Sequence, residues 1–551
     1  MRRWLPLIVL AAAQFVMVLD SSVMNVSISQ IVADLDTTVT GVQLAITAYT
    51  LVMAAFMLLG AKLGDIWGRD RAFGLGLAVY GLGSLTTALS PNLYVLLLGW
   101  SLVEGLGAVL VIPAIAALTA ANYEGKTRAL AYGVIGGVAG AAIAVGPVIG
   151  GWVTTEFSWR LVFVGEVVIV LVILLARKRM QSAPRPEHPP KLDVVGAVLS
   201  AGGLGLIVFG ILQSSSWGWL QPIDAPTIGG SEITPLGFSL VPFLIVGGVL
   251  LLWFFGFWEE RRERLGQDAL LERALLRIQT LRAGLATLMS QQLVLMGTFF
   301  VLPVYLQVVL GLDAFETGKR LLPMSITMLI AALAGAKLAA RLAPRLVVQI
   351  GLAAMVVAAL VLVGTIDVKL NETSFKLSLA LFGVGAGLLM SQLGNVIMSS
   401  APPEKTNEAG GLQGTAQNLG ASLGTALIGS VLLGGLLTGF TNRLAENPAV
   451  SEPVRTQIEA ATEKGIDIVT TEQAHALLVS GGLTPAEADV VAANYADAQL
   501  DGLKRAMLAV ALLALLSLLF TRRLPGKPPP AEAGAGGATD RDARLRSQPE
   551  L

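Results

Sequence analysis

GAKLGDIWGRDR (Gly60–Arg71) lies between two apolar runs, and 275 positions later the chain carries an eroded copy, GAKLAARLAPR (Gly335–Arg345). A short charged turn studded with glycine, repeated once per half between membrane-length apolar stretches, marks a polytopic membrane protein built by duplication. The two copies are not equivalent. Asp65 and Gly68 of the first are Ala340 and Ala343 in the second, so the carboxylate survives only in the N-terminal half.

Composition agrees with a membrane protein. Over 551 residues, 54% are hydrophobic, 14% are charged and the mean hydropathy is +0.71. Apolar runs of about twenty residues, each enough to cross a bilayer as a helix, recur along the chain. In lipid the backbone must bond to itself, so these runs form an all-α helix bundle. With 38 Lys+Arg against 38 Asp+Glu there is no electrostatic basis for nucleic-acid binding. The absence of cysteine excludes disulfides, thiolate metal sites and thiol nucleophiles. The two histidines, His188 and His475, fall in polar connections. No enzyme chemistry, cofactor or metal centre is expected. The opening MRRWLPLIVLAAAQFVMVLD resembles a signal peptide, but it lacks a small-x-small cleavage site and its apolar run continues past Asp20, so it reads as an uncleaved first span.

Fourteen spans follow from runs bounded by charges and turn residues: 5–29, 43–62, 72–90, 92–119, 129–153, 159–177, 193–213, 237–258, 281–309, 318–341, 346–366, 374–399, 411–438 and 503–521. With both termini cytoplasmic, 28 of the 38 Lys+Arg fall on the inner side, as the positive-inside rule requires of a multi-pass cell-membrane protein. The repeat offset places the second span opposite the tenth. Residues 1–180 therefore form an N-terminal six-helix half and 281–521 a C-terminal one, with 193–258 inserted as two further helices. A basic, proline-rich linker occupies 181–192, and EERRERLGQDALLERALLR opens a cytoplasmic segment, 259–280, that reads as an amphipathic surface helix. The long outer loop 441–502 holds ten acids and three bases and is either an acidic cap or a gate over the outer mouth. The tail, 522–551, has a disordered composition.

Several stretches hold chemistry that lipid-facing helices do not need. LDSSVMNV (Leu19–Val26) places Asp20 inside an apolar run, with Asn25 downstream. A carboxylate there is costly unless protonated or paired, so Asp20 is a proton carrier, a cation counter-charge, or an acid bonded for packing. GAAIAVGPVIGG (Gly140–Gly151) joins glycines that let helices approach closely to Pro147, which bends the helix at mid-span. GWSLVEGLGAVLVIPA carries Trp100 and Glu104, and Glu166 follows SWR (Ser158–Arg160). The ninth span offers Met289, Gln291, Gln292, Met296, Phe299 and Phe300, and the thirteenth Gln413, Gln417 and Asn418. Adaptable Met and aromatic surfaces with a few amides suit a promiscuous pocket for apolar cations, although such stripes also serve packing or lipid contact.

These motifs resemble the Major Facilitator Superfamily, and within it the fourteen-helix drug:proton antiporters of bacterial multidrug efflux. The likeness runs from the first span to the last, excluding the tail and much of 441–502. It implies the Major Facilitator fold and a conformational latch at the first cytoplasmic turn, made by Gly60, Gly64, Asp65, Gly68, Arg69 and Arg71. It also implies an antiporter signature at Gly140, Gly146, Pro147, Gly150 and Gly151 that marks exporters. The chain departs from the pattern in its fourth span, where Ser101 replaces the usual embedded arginine and Glu104 stands where an amide is common. Glu166 replaces an expected asparagine. A buried base is lost and two buried acids are gained.

The expectation is a proton-coupled antiporter that exports lipophilic, cationic drugs by alternating access, as a monomer among membrane lipids. Asp20, Glu104 and Glu166 would handle proton and cation, and Asn25, Trp100, Gln291, Gln292, Met296, Phe299, Phe300, Gln413 and Gln417 would form the pocket. An exporter of one endogenous metabolite or lipid is the alternative. A non-transporting scaffold or sensor is a further one, which Asp20, Asp65 and Gly146-Pro147 disfavour.

Overall fold

The computed structural model describes residues 4–123, 125–177, 191–228, 231–338, 341–402, 405–462 and 466–527. Most of the 181–192 linker, Ala340 and residues 528–551 of the 522–551 tail lie outside them. Fourteen long helices are present among the described residues. In the first half they are α1 (Leu5–Val26), α2 (Val39–Trp67), α3 (Arg69–Ala88), α4 (Leu93–Leu96 continuing through Leu97–Glu104 and Gly105–Asn122), α5 (Gly125–Glu156) and α6 (Arg160–Ala176). The inserted pair is α7 (Val194–Trp217) and α8 (Leu240–Arg264), joined by a loop with a two-residue antiparallel ladder. The second half is α9 (Gln279–Val304), α10 (Ala314–Leu338), α11 (Pro344–Thr365), α12 (Glu372–Ser400), α13 (Thr406–Glu446) and α14 (Pro485–Ser517). Eleven spans are long and apolar enough to cross a bilayer by length and composition alone. The helices α3, α6 and α10 complete the fourteen.

Local chemistry sets several helix ends. Gly68 adopts φ 91°, a left-handed conformation that side chains disfavour, and this breaks the chain between α2 and α3. Thr38 caps α2, Asp193 caps α7, Asn371 caps α12, and Thr484 with Glu487 forms a capping box on α14. That box explains a departure from the expected spans. α14 begins at Pro485 rather than near 503, so it projects beyond the apolar layer and carries part of the 441–502 connection.

The rest of that connection is ordered. Helices Glu452–Thr462 and Thr471–Ser480 fold over the acidic end of the bundle. The Tyr495 hydroxyl donates to the Asp467 carbonyl at 2.7 Å and accepts from the Val469 amide at 2.9 Å, while Thr40 of α2 donates to the Asp467 side chain at 3.3 Å.

At the basic end, the amphipathic helix expected over 259–277 does not form as one piece. α8 runs on to Arg264, the chain turns, and only Arg273–Arg277 is helical again. Its leucines Leu270, Leu271 and Leu275 are buried beside Leu281, Val396 and Ile397, so they find a protein core rather than a lipid surface. Glu259 fixes the turn by accepting the Leu271 amide at 3.0 Å.

The two halves meet along two seams. In one, α7 lies against α2 and α13: Val208, Leu212 and Ala426 cluster with Leu44 and Leu51, and the Ser214 and Ser430 hydroxyls are 2.6 Å apart. α8 stays outside this packing and turns Val246, Trp253, Phe254 and Phe257 outward, the face a helix presents to lipid. In the other seam α5 packs on α10 without side chains between the backbones. A Cβ on Gly151 would fall 2.3 Å from the Ala314 carbonyl oxygen, and one on Gly318 would fall 2.1 Å from that of Pro147. Polar bonds close the same end. Gln307 donates to the Val26 carbonyl at 2.8 Å and accepts the Ser29 amide at 3.0 Å, and Gln43 donates to the Thr425 carbonyl at 3.0 Å.

Candidate functional site

The site begins with the winding of α4. Residues Leu97–Glu104 form π-helical turns, which bond i to i+5 and are frequent at functional sites. This stretch places Trp100, Ser101 and Glu104 on the buried side. The backbone comes close to α3 because Gly83 lacks a side chain; a Cβ there would sit 2.5 Å from the Glu104 nitrogen. Ser101 is spent on structure, its hydroxyl donating to the Ala45 carbonyl at 2.9 Å.

Glu104 therefore projects into a pocket that also receives Asp20 from α1 and Glu166 from α6. The three carboxyls offer oxygens within 4.8 Å of one another, and all three side chains are buried, with at most 1% exposed. Donors reach two of the groups. The Trp100 indole N–H donates to Asp20 Oδ1 at 2.8 Å, and the Tyr80 and Ser84 hydroxyls donate to Glu166 Oε2 at 3.2 and 3.1 Å. Four carboxyl oxygens have no hydrogen-bond partner: Asp20 Oδ2, both oxygens of Glu104 and Glu166 Oε1.

Three charged carboxylates cannot coexist there. Two unit charges about 4 Å apart repel by roughly 4 kcal/mol even at an effective dielectric near 20. Protons shared between the groups would both cancel charge and supply the missing donors.

On the other side of Trp100 lies a cavity in two parts, which share Gln14, Ile112, Gly414 and Gln417 as lining residues. Its wide part, about 690 Å³, opens at the basic end past Gly60, Gly64, Asp65 and Arg69 and narrows towards Gln413, Gly414 and Gln417. Its inner part, about 190 Å³, reaches mid-bundle between Tyr49, Trp100, Met53, Met296 and Phe299, with Asn25, Gln292, Gln417 and Asn418 as polar groups.

Of the residues expected in the pocket, Asn25, Trp100, Gln292, Met296, Phe299, Gln413 and Gln417 line this cavity. Gln291 and Phe300 do not. Gln291 turns to α12, where it donates to the Ala386 carbonyl at 3.2 Å, and Phe300 is fully buried in the core. Nor do Asp20, Glu104 and Glu166 line it. The sequence reading missed Gln14, Ser21, Tyr49, Tyr80 and Ser84. The signal for the last two is their spacing of four within an apolar span, which puts two hydroxyls on one helix face.

The glycine turn and the Gly-Pro stretch occupy opposite ends of the bundle. In the turn, Asp65 pairs with Arg69 of its own helix junction at 2.7 Å, Lys62 donates to the Ala269 carbonyl at 3.1 Å, and Arg71 lies on the exposed surface. Pro147 and Gly151 line the closed seam, whereas Gly146 and Gly150 face α1. A Cβ on Gly146 would meet Ser22 at 2.5 Å and one on Gly150 would meet Val23 at 2.6 Å, both on α1. Gly140 lies further along α5, towards the basic end, and faces Leu329 of α10.

The sequence profile of the Major Facilitator Superfamily matches residues 10–223 and 194–425. The chain is 28% identical over 528 residues to the tetracenomycin C resistance and export protein of Streptomyces glaucescens, across 95% of this chain and 92% of that one. It is 30% identical over 436 residues to a puromycin resistance protein of Streptomyces alboniger, across 79% and 82% of the two chains. Its fold is similar to that of a bacterial homologue of the human lysosomal transporter Spinster, solved inward-facing and unoccupied. There the TM-score is 0.59 at 15% identity, over 96% of this chain and 99% of that one. A profile match over most of the length, on two six-helix halves around a central cavity, establishes that the chain belongs to the Major Facilitator Superfamily, a family of transporters and not of enzymes.

Proposed function

We propose that this chain is a proton-driven exporter of lipophilic drugs, with the basic end cytoplasmic and both termini there. One observation carries the reading. Three buried carboxyls with unsatisfied oxygens stand directly behind the wall of a cavity open at the basic end. A group of this kind holds protons when isolated and releases them when a compensating interaction arrives. A cation in the cavity would feel its field without touching it, because the effective dielectric is low inside the bundle. Resistance and export proteins among the relatives support drugs as the cargo.

In this cycle the closed α5–α10 seam is the outer gate, and the Asp65–Arg69 turn is a latch that engages the C-terminal half when the cavity faces outward.

The test is transport in reconstituted vesicles, with lipophilic dye cations on the cytoplasmic side and the internal pH followed. The wild type is expected to move protons only when substrate is present. Asp20→Asn is expected to reduce that flux by about tenfold or more, the scale of an ordinary coupling free energy. Loss in Glu104→Gln but not in Asp20→Asn would shift the coupling site to α4. A folded wild type that moves no protons with several cations would sink the drug:proton reading in favour of a narrow metabolite or lipid substrate.

A further inference from the structure

Tyr49 of α2 and Trp100 of α4 are stacked, with ring centroids 4.7 Å apart and planes at 7°. This plate has two working sides. Both rings line the inner cavity, beside Met53, Met296 and Phe299. From its edge, the Trp100 indole N–H reaches Asp20 Oδ1 at 2.8 Å in the carboxyl cluster. Tyr49 also sets its phenol beside Asp20, so both rings of the plate link the cavity to the carboxyls.

We infer that the Tyr49–Trp100 plate is the part through which a flat aromatic substrate and the proton exclude one another, an inference that rests on the exporter reading. A flat aromatic occupant stacked against the plate holds it in place, and with it the indole N–H on Asp20. A hydrogen bond to a carboxylate is roughly twice as strong as one to a neutral acceptor, so a plate held in place favours the ionised Asp20. The proton leaves the cluster, whose other titratable members are Glu104, Glu166 and Tyr80, with Tyr49 in the plate itself.

The reverse step uses the same bond. Protonation of Asp20 weakens its hold on the indole, the plate loosens, and the face the substrate stacks on is lost. Coupling through one bond is reciprocal by thermodynamic necessity: substrate expels the proton as strongly as the proton expels substrate. Trp100 is thus a positioning residue for Asp20 as well as a wall of the cavity.

The experiment measures ethidium binding to the purified full-length protein in detergent between pH 6 and pH 8, together with proton release on binding. The wild type is expected to bind more tightly as pH rises and to release protons. Trp100→Phe retains an aromatic wall but has no N–H to donate. It is expected to bind a few-fold more weakly, with affinity nearly independent of pH and proton release reduced at least about tenfold. Tyr49→Leu leaves the indole donor but removes both its stacking partner and the phenol beside Asp20, and it should flatten the same pH dependence; it decides the question if Trp100→Phe does not fold.

A purely structural role for the plate would lower affinity equally at every pH. A wild-type pH slope in either folded variant overturns the inference while leaving proton coupling intact. A wild type that binds ethidium with no pH slope and no proton release overturns the exporter reading instead. A wild type that does not bind ethidium overturns the flat aromatic occupant.

Discussion

Gly318→Leu is expected to abolish transport while leaving the protein folded and the cavity open at the basic end. The site where its side chain must begin is 2.1 Å from the Pro147 carbonyl oxygen and 2.7 Å from its carbon, both backbone atoms that no rotamer change can move. α5 and α10 can accept the new side chain only by separating. Overpacking of this kind typically costs about 1–3 kcal/mol, and 3 kcal/mol lowers the population of the closed seam by about two orders of magnitude. Alternating access requires that seam to close once per cycle, so turnover should fall on the same scale.

The natural chain contains no cysteine, so a single reporter at Ala314 has no background. Ala314→Cys should react slowly with an impermeant maleimide from outside in the parent and quickly beside Gly318→Leu. Equal labelling with transport retained would show that the α5–α10 contact is not a gate.

The Gly-Pro stretch was legible as a close-packed helix because glycine acts through the backbone, whose sterics are local. Its partner was not legible. Gly318 stands in GLDAFETGKR, an ordinary turn-and-helix start in the sequence, and only the fold brings it to Pro147. The same division runs through the rest of the molecule. Periodic apolar runs and the 275-residue repeat gave the two halves and the inserted pair, since lipid leaves a helix few alternatives. The surface helix expected over 259–277 failed because a leucine stripe does not specify what it faces; here it faced Ile397 and Val396 rather than lipid.

In the site, Asp20, Glu104 and Glu166 stood out one by one as acids in apolar spans. That they share one pocket depends on the π-helical turns of α4 and on Gly83, neither of which the sequence pattern declares. Gln291 and Gln292 differ by one position, about 100° around a helix, and this alone sends one into packing and the other into the cavity.

Glu104→Gln is expected to make the protein more stable and less functional. Both Glu104 oxygens are buried without a partner, and an unsatisfied buried polar group costs about 1–3 kcal/mol. Glutamine has nearly the same shape, carries no charge and brings two N–H donors to face Asp20 and Glu166, each of which has one oxygen without a donor. Under the proton-holding reading, the native cluster retains protons that the unfolded chain releases at neutral pH. The unfolded state then binds fewer protons, so wild-type stability falls as pH rises. Removing one of the three acids removes one of those contributions. The Tm of Glu104→Gln in detergent should therefore match the wild type at acidic pH and exceed it increasingly towards alkaline pH, while substrate-driven proton flux in vesicles is lost.

The comparison with Glu166→Gln separates charge from packing. Glu166 already accepts from Tyr80 and Ser84, and the amide oxygen of glutamine can keep only part of that arrangement, so its gain should be smaller. If Glu104→Gln is instead less stable than the wild type at every pH, the unpaired oxygens are satisfied by protons fixed in the fold. The cluster would then be a structural knot that holds α1, α4 and α6 together rather than a site that loads and unloads.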